Sequence, residues 1–264
     1  MSERRRKAYP TDLSDAEWKK LEPTVPGPKQ GGRPAKYTRR EIINGILYVL
    51  GSGCGWRMLP HDLPPWETVY GYFRKWRKAG IFERMNDLLR REERQRAGRD
   101  PDPSAGSIDS QSVKTTSRGG VRGFDAGKKV KGRKRHILVD TMGLLVCVLV
   151  LAANVQDRDA AKQVCARARR KLPRLRLLWA DGGYTGKLVD WLYDTCHWFL
   201  TIIKRSDTAK GFQLLPRRWV VERTFAWLGN SRRLSKDYEF LPQSSEAFIY
   251  LAMSRLMLRR LARK

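Results

Sequence analysis

The sequence is poor in the residues that bind soft metals or form disulfides. Four cysteines and three histidines are scattered through 264 residues, and no two cysteines stand in a CxxC pair. Structural zinc sites need closely spaced ligands, and disulfide scaffolds need many paired cysteines. We therefore expect neither zinc nor disulfides in this chain.

Long apolar runs are also lacking. The longest, residues 143–155, is shorter than the roughly 20 residues of a membrane-spanning helix, and its β-branched content favours a buried strand. Four basic residues at positions 4–7 precede no apolar stretch, unlike the start of a secretory signal. We expect a protein that has no membrane segment and stays inside the cell.

Acidic residues are scarce relative to basic ones. The chain has 27 Asp and Glu against 54 Lys and Arg, a formal net charge of +27, and its 41% hydrophobic content is enough for a folded core. A nucleic acid is the partner that best suits such a charge. A ribosomal-type scaffold or a membrane-surface binder would also be basic, so charge alone does not decide the function.

The chain divides near residue 100. Glycines and prolines between residues 95 and 106 interrupt both helices and strands, and we place a boundary there between residues 1–100 and 101–264. The first part is helical in pattern. Ser14 with Glu17, and Thr38 with Glu41, have the spacing of helix-start capping boxes. These signals predict a small all-α, helix-turn-helix-like domain.

A third helix is predicted after Pro64 and Pro65. It combines apolar residues that can pack with a basic set that can contact DNA, namely Arg74, Lys75, Arg77 and Lys78. We interpret it as a candidate recognition helix, although a solvated basic face is the ordinary alternative. Arg33, in the short arm at residues 31–34, is a weaker candidate for minor-groove contact.

Residues 101–264 alternate between strand and helix patterns. A strand is predicted to end at Asp109, followed by a hairpin of residues 136–139 and 144–151, a helix over 157–170, a strand ending at Asp181, a helix about 188–193 and a strand over 198–203. The order βββαβαβα is that of an α/β, RNase H-like fold, with a mixed sheet flanked by helices. A closing amphipathic helix is predicted after Pro242.

Three acids stand where such a fold brings carboxylates together. Asp109 and Asp181 follow strand ends, and Glu222 lies in an apolar helical segment. Divalent ions that cut a phosphodiester are held by carboxylates of this kind. Each acid also has an ordinary explanation, as a turn residue for the aspartates and as an ion-pair partner of Arg218 or Arg223 for the glutamate.

Three segments carry a family resemblance. Residues 108–114 (IDSQSVK), 180–186 (ADGGYTG) and 218–224 (RWVVERT) resemble the three acidic motifs of DDE transposases from bacterial insertion sequences, nearest to the family named after insertion sequence five and related to the insertion sequence four group. Residues 13–18 (LSDAEW) and 55–60 (GWRMLP) resemble the amino-terminal region of that family. The resemblance spans nearly the whole chain.

The resemblance implies a transposase that binds the terminal inverted repeats of its element and performs metal-dependent strand cleavage and transfer. Asp109, Asp181 and Glu222 would be the catalytic and metal-binding acids, with two Mg²⁺ ions that Mn²⁺ can replace. The implied partners are double-stranded element ends and target DNA, with a homodimer as the active complex and a cytoplasmic, nucleoid-associated location. Arg218 matches an arginine that precedes the glutamate in related families.

The chain also departs from the insertion sequence four group. Gly229 stands where that group has a lysine, and Arg232, Arg233 or Lys236 are candidates to replace it. The departure leaves open whether this chain uses the hairpin chemistry of that group.

Residues 111–135 contain nine basic side chains against one acidic. We predict that this glycine-rich segment binds phosphates beside the cut site, and a solvated loop is the alternative. Its candidate DNA contacts are Lys128, Lys129, Lys131, Arg133 and Lys134.

Two other functions compete with the transposase. A non-catalytic DNA-binding regulator would keep the basic charge without a reason to keep the three acids. A structure-specific nuclease with the same metal site would cut DNA without joining it.

Overall fold

The computed structural model describes residues 6–27, 31, 35–117, 119–203 and 219–263. Four helices come first: α1 Asp15–Leu21, α2 Arg39–Ser52, α3 Trp66–Lys78 and α4 Ile81–Arg96. The capping box at α1 is complete, with Ser14 and Glu17 each accepting the other's backbone N–H. At α2 the Thr38 side chain accepts from the Glu41 N–H, but the Glu41 carboxylate binds Arg6 and Asn44 instead.

The rest of the described chain is α/β. The strands are β1 Ala105–Lys114, β2 Gly123–Asp125, β3 Val130–Asp140, β4 Leu145–Ala152, β5 Leu177–Ala180 and β6 Phe199–Ile202. The helices are α5 Asp157–Arg169, α6 Leu188–Cys196, α7 Trp219–Gly229 and α8 Pro242–Leu261.

The sheet runs β4-β3-β1-β5-β6, with β3 antiparallel to both neighbours and β1, β5 and β6 parallel to one another. The short strand β2 pairs with the first residues of β3. It lies on the same side of β3 as β4, which pairs with the residues that follow. This pattern confirms the expected RNase H-like fold class. Alternate residues of β3 and β4 face two cores, one shared with α5 and α6 and the other with α4, α7 and α8.

Three details of the predicted order are wrong. Asp109 does not end its strand, because β1 continues through five more residues that pair with β3 as far as Lys114. The polar residues Ser110, Gln111 and Ser112 carry no strand signal in the sequence, yet their pairing with β3 makes them part of the strand. Strand β2 and helix α4 were not predicted at all.

The amino-terminal helices do not have a core of their own. Residues of α2, α3 and α4 belong to one buried cluster with residues of β3, β4 and α8. Helix α8 is buried on most of its circumference, with fourteen buried residues, because it lies between α4 and the sheet. The boundary near residue 100 stays a prediction, since the helices before it and the sheet after it share this cluster.

No helix in the described ranges has both the length and the apolarity that crossing a bilayer requires.

Candidate active site

Asp109 and Asp181 lie on neighbouring parallel strands. Strands β1 and β5 pair from Ala105 opposite Leu177 to Ser107 opposite Trp179. Asp109 lies two residues beyond the last paired residue of β1, and Asp181 lies two residues beyond its partner on β5. Both aspartates therefore lie toward the carboxyl end of β5, where the charges of both act on Tyr184.

The turn after β5 fixes the Asp181 backbone. The Asp181 side chain accepts a hydrogen bond of 2.9 Å from the Gly183 N–H and caps the 3₁₀ turn Gly182–Tyr184. Tyr184 then inserts its ring into the core shared with α5 and α6, where it is 1% exposed. The aspartate is therefore carried on a short turn that is anchored at both ends.

Carboxylates surround the Tyr184 hydroxyl. Burial raises the pKa of Tyr184 well above its usual value, and the nearby charges of Asp109, Asp157 and Asp181 raise it further. The phenol is therefore held neutral. This end of the sheet is an acidic spot within a strongly basic chain.

Glu222 comes from helix α7, which packs against β1. The helix is held by the β3–β4 turn: Thr224 Oγ1 donates to the Gly143 carbonyl at 2.7 Å, and Arg223 Nη2 donates to the Met142 carbonyl at 2.9 Å. Glu222 is in the first turn of α7 and is exposed, while Val221 and Thr224 are buried. Residues Ile108 and Ser110 of β1 face α5, so Asp109 points to the opposite side, where α7 lies.

The donor chemistry of this site fits a hard divalent cation, since carboxylate oxygens are the ligands that Mg²⁺ prefers. The sheet supplies two adjacent acids and α7 supplies a third. Within the described ranges, no group of three or more Asp, Glu, His or Cys side chains is close enough to hold an ion. The residues present therefore fit the metal by the type of their donor atoms.

Asp157 is a fourth acid that the sequence did not reveal as part of this region. Its Oδ1 accepts from Ser110 Oγ at 2.8 Å and lies 3.3 Å from Lys134 Nζ and 3.7 Å from His136 Nδ1. An acid at the start of a predicted helix is ordinarily explained by the helix dipole. Only the tertiary fold shows that it lies beneath the strand carrying Asp109.

The basic candidates on α3 lie at the surface. Arg74, Lys75 and Lys78 are exposed, whereas Arg77 is half-buried and donates to Ser244 Oγ at 2.5 Å. The buried face of this helix is formed by Val69, Phe73 and Trp76, as the sequence pattern predicts.

Three basic residues at and just before the start of β3 are also exposed: Lys128, Lys129 and Lys131. Lys128 Nζ donates to the Ser110 carbonyl at 3.0 Å, which brings this turn next to the strand of Asp109. Their exposed side chains can contact a phosphate without any rearrangement of the fold.

Three other candidates face the interior, which argues against their predicted contact with DNA. Arg133 is fully buried against Asp237, Lys134 lies 3.4 Å from Asp125, and Arg233 pairs with Glu239 at 2.7 Å. The physical reason is that β3 lies inside the sheet with both of its faces covered, so the consecutive residues Arg133 and Lys134 are both buried and need partners there. A run of basic residues in the sequence does not show this burial.

Of the three remaining candidates, one lies within the described residues. Arg232 is exposed at the start of the 3₁₀ turn Arg232–Leu234. Arg33 and Arg218 lie outside the described residues.

Comparison with known proteins gives the family. The model described as "Transposase DDE domain" matches residues 100–257, and that described as "Putative transposase of IS4/5 family" matches residues 13–86. The chain belongs to the transposase DDE domain family. Members of that family are DNA-cleaving and DNA-transferring enzymes that use divalent metal.

Curated relatives agree with this assignment. In Burkholderia cepacia, the "Insertion element IS402 uncharacterized 16.2 kDa protein" is 31% identical over 40% of this chain and 76% of its own length. From the same organism, the "Putative transposase for insertion sequence element IS402" is 32% identical over 46% of this chain and 60% of its own length. The chain therefore spans less than two thirds of that transposase.

Two solved structures show a more distant likeness. A crystal structure of the Mos1 strand transfer complex has 14% identity, covering 89% of this chain and 79% of that chain, with a TM-score of 0.30. A Mos1 mariner paired end complex with Mn has 11% identity, covering 89% of this chain and 80% of that chain, with a TM-score of 0.31. Both likenesses are too distant to bear on function.

Proposed function

We propose that this transposase binds the terminal inverted repeats of its own insertion sequence and catalyses strand cleavage and strand transfer, with Asp109, Asp181 and Glu222 as the catalytic acids. The observation that supports the proposal most directly is that the neighbouring parallel strands β1 and β5 carry Asp109 and Asp181 toward the same end of the sheet, in a chain of the DDE family. Helix α7 adds Glu222 from the side of the sheet that Asp109 faces.

The three carboxylates would hold the divalent ions, two Mg²⁺ or Mn²⁺. When bound, such ions activate the attacking oxygen and stabilise charge on the leaving oxygen. The chain's own part is to fix the acids. The Gly182–Tyr184 turn orients Asp181, and the β3–β4 turn positions α7 and its glutamate.

Exposed basic side chains would place the DNA. Lys128, Lys129 and Lys131 extend from the turn beside Ser110, and Arg74, Lys75 and Lys78 extend from α3. Such groups bind phosphates without reading sequence, so affinity would fall steeply with salt. A second subunit would be needed to bring two ends together, and we expect a homodimer in the active complex.

The test is incubation of the purified protein with a labelled duplex that carries the element's end, in Mg²⁺ or in EDTA. We expect Mg²⁺-dependent nicking at the end and joined products on a target duplex. Asp109→Asn, Asp181→Asn and Glu222→Gln should each abolish nicking while DNA binding survives. Asp194→Asn is the matched control, because Asp194 is an exposed acid on α6.

Other outcomes separate the competing functions. Binding without nicking under any divalent metal would support a non-catalytic regulator. Nicking with no joined product, even when pre-cut ends are supplied, would support a structure-specific nuclease.

A further inference from the structure

Around β2 and the α7–α8 connection, the acidic side chains are buried and the charged side chains at the surface are basic. We define the clamped surface as the exposed side chains of residues 114–131 and 232–241, residue 118 being outside the description. The acids of these segments are all buried: Asp125 lies beside Lys134, Asp237 beside Arg133 and Glu239 beside Arg233. The exposed charged side chains are all basic, namely Lys114, Arg122, Lys128, Lys129, Lys131, Arg232 and Lys236.

Two buried arginines of β3 hold these segments, and one of them, Arg133, joins the two. The Arg133 guanidinium donates to the carbonyls of Val121, Glu239 and Phe240, each at 2.8 Å. Arg135 donates to the Leu234 carbonyl at 2.8 Å and to the Lys236 carbonyl at 3.2 Å. Each bond goes to backbone, so the arginines fix the course of the chain.

A backbone contact joins the same segments directly. The Asp237 N–H donates to the Lys114 carbonyl at 2.9 Å, at the end of the strand that carries Asp109. The clamped surface is therefore a supported structure rather than a free loop.

Large apolar side chains project from this support. Val121 and Phe240 are each 68% exposed, Phe124 is 55% exposed and Leu241 is 41% exposed. The carbonyls of Val121 and Phe240 share one guanidinium, so these two residues are neighbours. Exposed apolar side chains grouped in this way mark a surface that contacts a partner.

Charge selects the partner. A second copy of a chain with net charge +27 would meet this basic surface with like charge, whereas a polyanion complements it. Duplex DNA also accepts apolar side chains, which enter a groove or wedge between base steps while basic groups hold the phosphates. A fixed backbone suits that role, because an apolar side chain that enters the groove must keep its position when it contacts the bases.

We propose that the clamped surface is a duplex-DNA contact in which Val121 and Phe240 enter a groove between two phosphate backbones held by the flanking basic residues. The inference rests on the proposed function, because the DNA is the one that the acids cut. Lys114 is five positions along β1 from Asp109, a rise of roughly 17 Å at about 3.3 Å per residue. The clamped surface would therefore meet the DNA that flanks the cut site.

The test measures affinity for a labelled duplex bearing the element's end, in EDTA, at about 50 and 200 mM salt. We expect Phe240→Ala and Val121→Ala each to weaken binding about 5- to 20-fold at both salt concentrations, because an apolar contact releases no counterions. Lys236→Ala should instead reduce the salt slope by about 1. Phe199→Ala is the matched control, since Phe199 is 58% exposed on β6, and it should stay within about 2-fold.

The results that would overturn the inference are distinct from those that concern catalysis. Unchanged DNA affinity in both Phe240→Ala and Val121→Ala, with the parent binding normally, rejects this surface as a DNA contact. Weakened self-association in sedimentation, without loss of DNA affinity, assigns it to a second copy instead. A parent protein that binds no DNA overturns the proposed function together with this inference. Thermal unfolding of each variant confirms that the fold is kept.

Discussion

Neighbouring residues of β1 serve opposite faces of the sheet. Asp109 points toward α7 and the proposed third acid, while Ser110 binds Asp157 beneath the sheet at 2.8 Å. Asp157 in turn lies near Lys134 and His136 of β3. The strand that carries Asp109 is thus supported on the α5 side by a polar network of Ser110, Asp157, Lys134 and His136.

His136 gives this network a pH dependence. Burial lowers the pKa of His136 to about 4, Lys134 and Lys128 act in the same direction, and Asp157 opposes them. The pKa of His136 is lower in the folded state than in the unfolded state. The stability that the neutral imidazole contributes is therefore fully present above about pH 6.5 and is lost as the pH falls toward 4. We expect this group to lower the free energy of unfolding by up to about 3 kcal/mol over that window.

Urea unfolding at several pH values measures that effect. His136→Gln cannot gain the proton, so its stability should fall less between pH 7 and pH 4 than that of the parent. An identical fall in both proteins would show that His136 is not buried as a neutral group.

Arg133 is a structural residue in this fold, because its guanidinium is buried against Asp237 and three carbonyls. Arg133→Ala leaves Asp237 buried without its charge partner, and we expect a loss of about 3–5 kcal/mol in the free energy of unfolding. Lys131→Ala, two positions away and exposed, should change it by less than about 0.5 kcal/mol. Equal effects in denaturant unfolding would contradict the burial of Arg133.

At the scale of elements, the β3–β4 turn determines where α7 lies. Gly143 has φ +79°, and a Cβ there would stand 3.0 Å from Thr224 Oγ1 and 3.2 Å from the Val220 carbonyl. The turn is therefore pressed against the helix that carries Glu222. Any side chain at this position strains the backbone and pushes α7 away from β1.

Gly143→Ala should accordingly cost about 1–3 kcal/mol of stability and slow nicking of the element's end. Gly71→Ala is the control, because Gly71 lies within α3 with open space around its Cβ position, and it should be neutral or stabilising by up to about 1 kcal/mol. Thermal unfolding and single-turnover nicking report the two effects. Unchanged nicking in a well-folded Gly143→Ala would separate the turn from the placement of Glu222.

The elements also show how far the sequence alone could lead. Periodicity and capping predicted α1, α2, α3, α5, α6, α7, α8 and most strands, because these signals are local. The extension of β1 past Asp109 was missed, since only pairing with β3 makes those polar residues a strand. The inward direction of Arg133 and Arg233 was missed for the same reason, because burial depends on what packs against a strand.

The acidic and basic candidates differ in what the sequence shows of them. Asp109 and Asp181 stand in sequence motifs, and their catalytic role stays a prediction. Asp157 carried no such signal, since it looks like an ordinary helix-start acid. A charge run shows how many basic residues a segment has and does not show which of them reach the solvent.

On the scale of the whole molecule, the amino-terminal helices and the sheet share one buried cluster, into which α8 is packed. We expect the full chain to unfold in a single cooperative transition, seen at the same temperature by near-UV and far-UV circular dichroism. A fragment of residues 101–264 would expose the face that α4 covers and should be much less stable. Two separate transitions would instead show that the boundary near residue 100 divides independent folding units.

The central claim is that Asp181 holds a divalent ion beside Asp109, and a ligand exchange tests it most directly. Asp181→Cys replaces a hard oxygen donor by a soft thiolate, which Mg²⁺ accepts poorly and Mn²⁺ more readily. We predict nicking of the element's end at least about 100-fold slower than the parent in Mg²⁺ and substantially restored in Mn²⁺. Asp194→Cys should match the parent in both metals. Parent-like nicking by Asp181→Cys in Mg²⁺ would contradict the account.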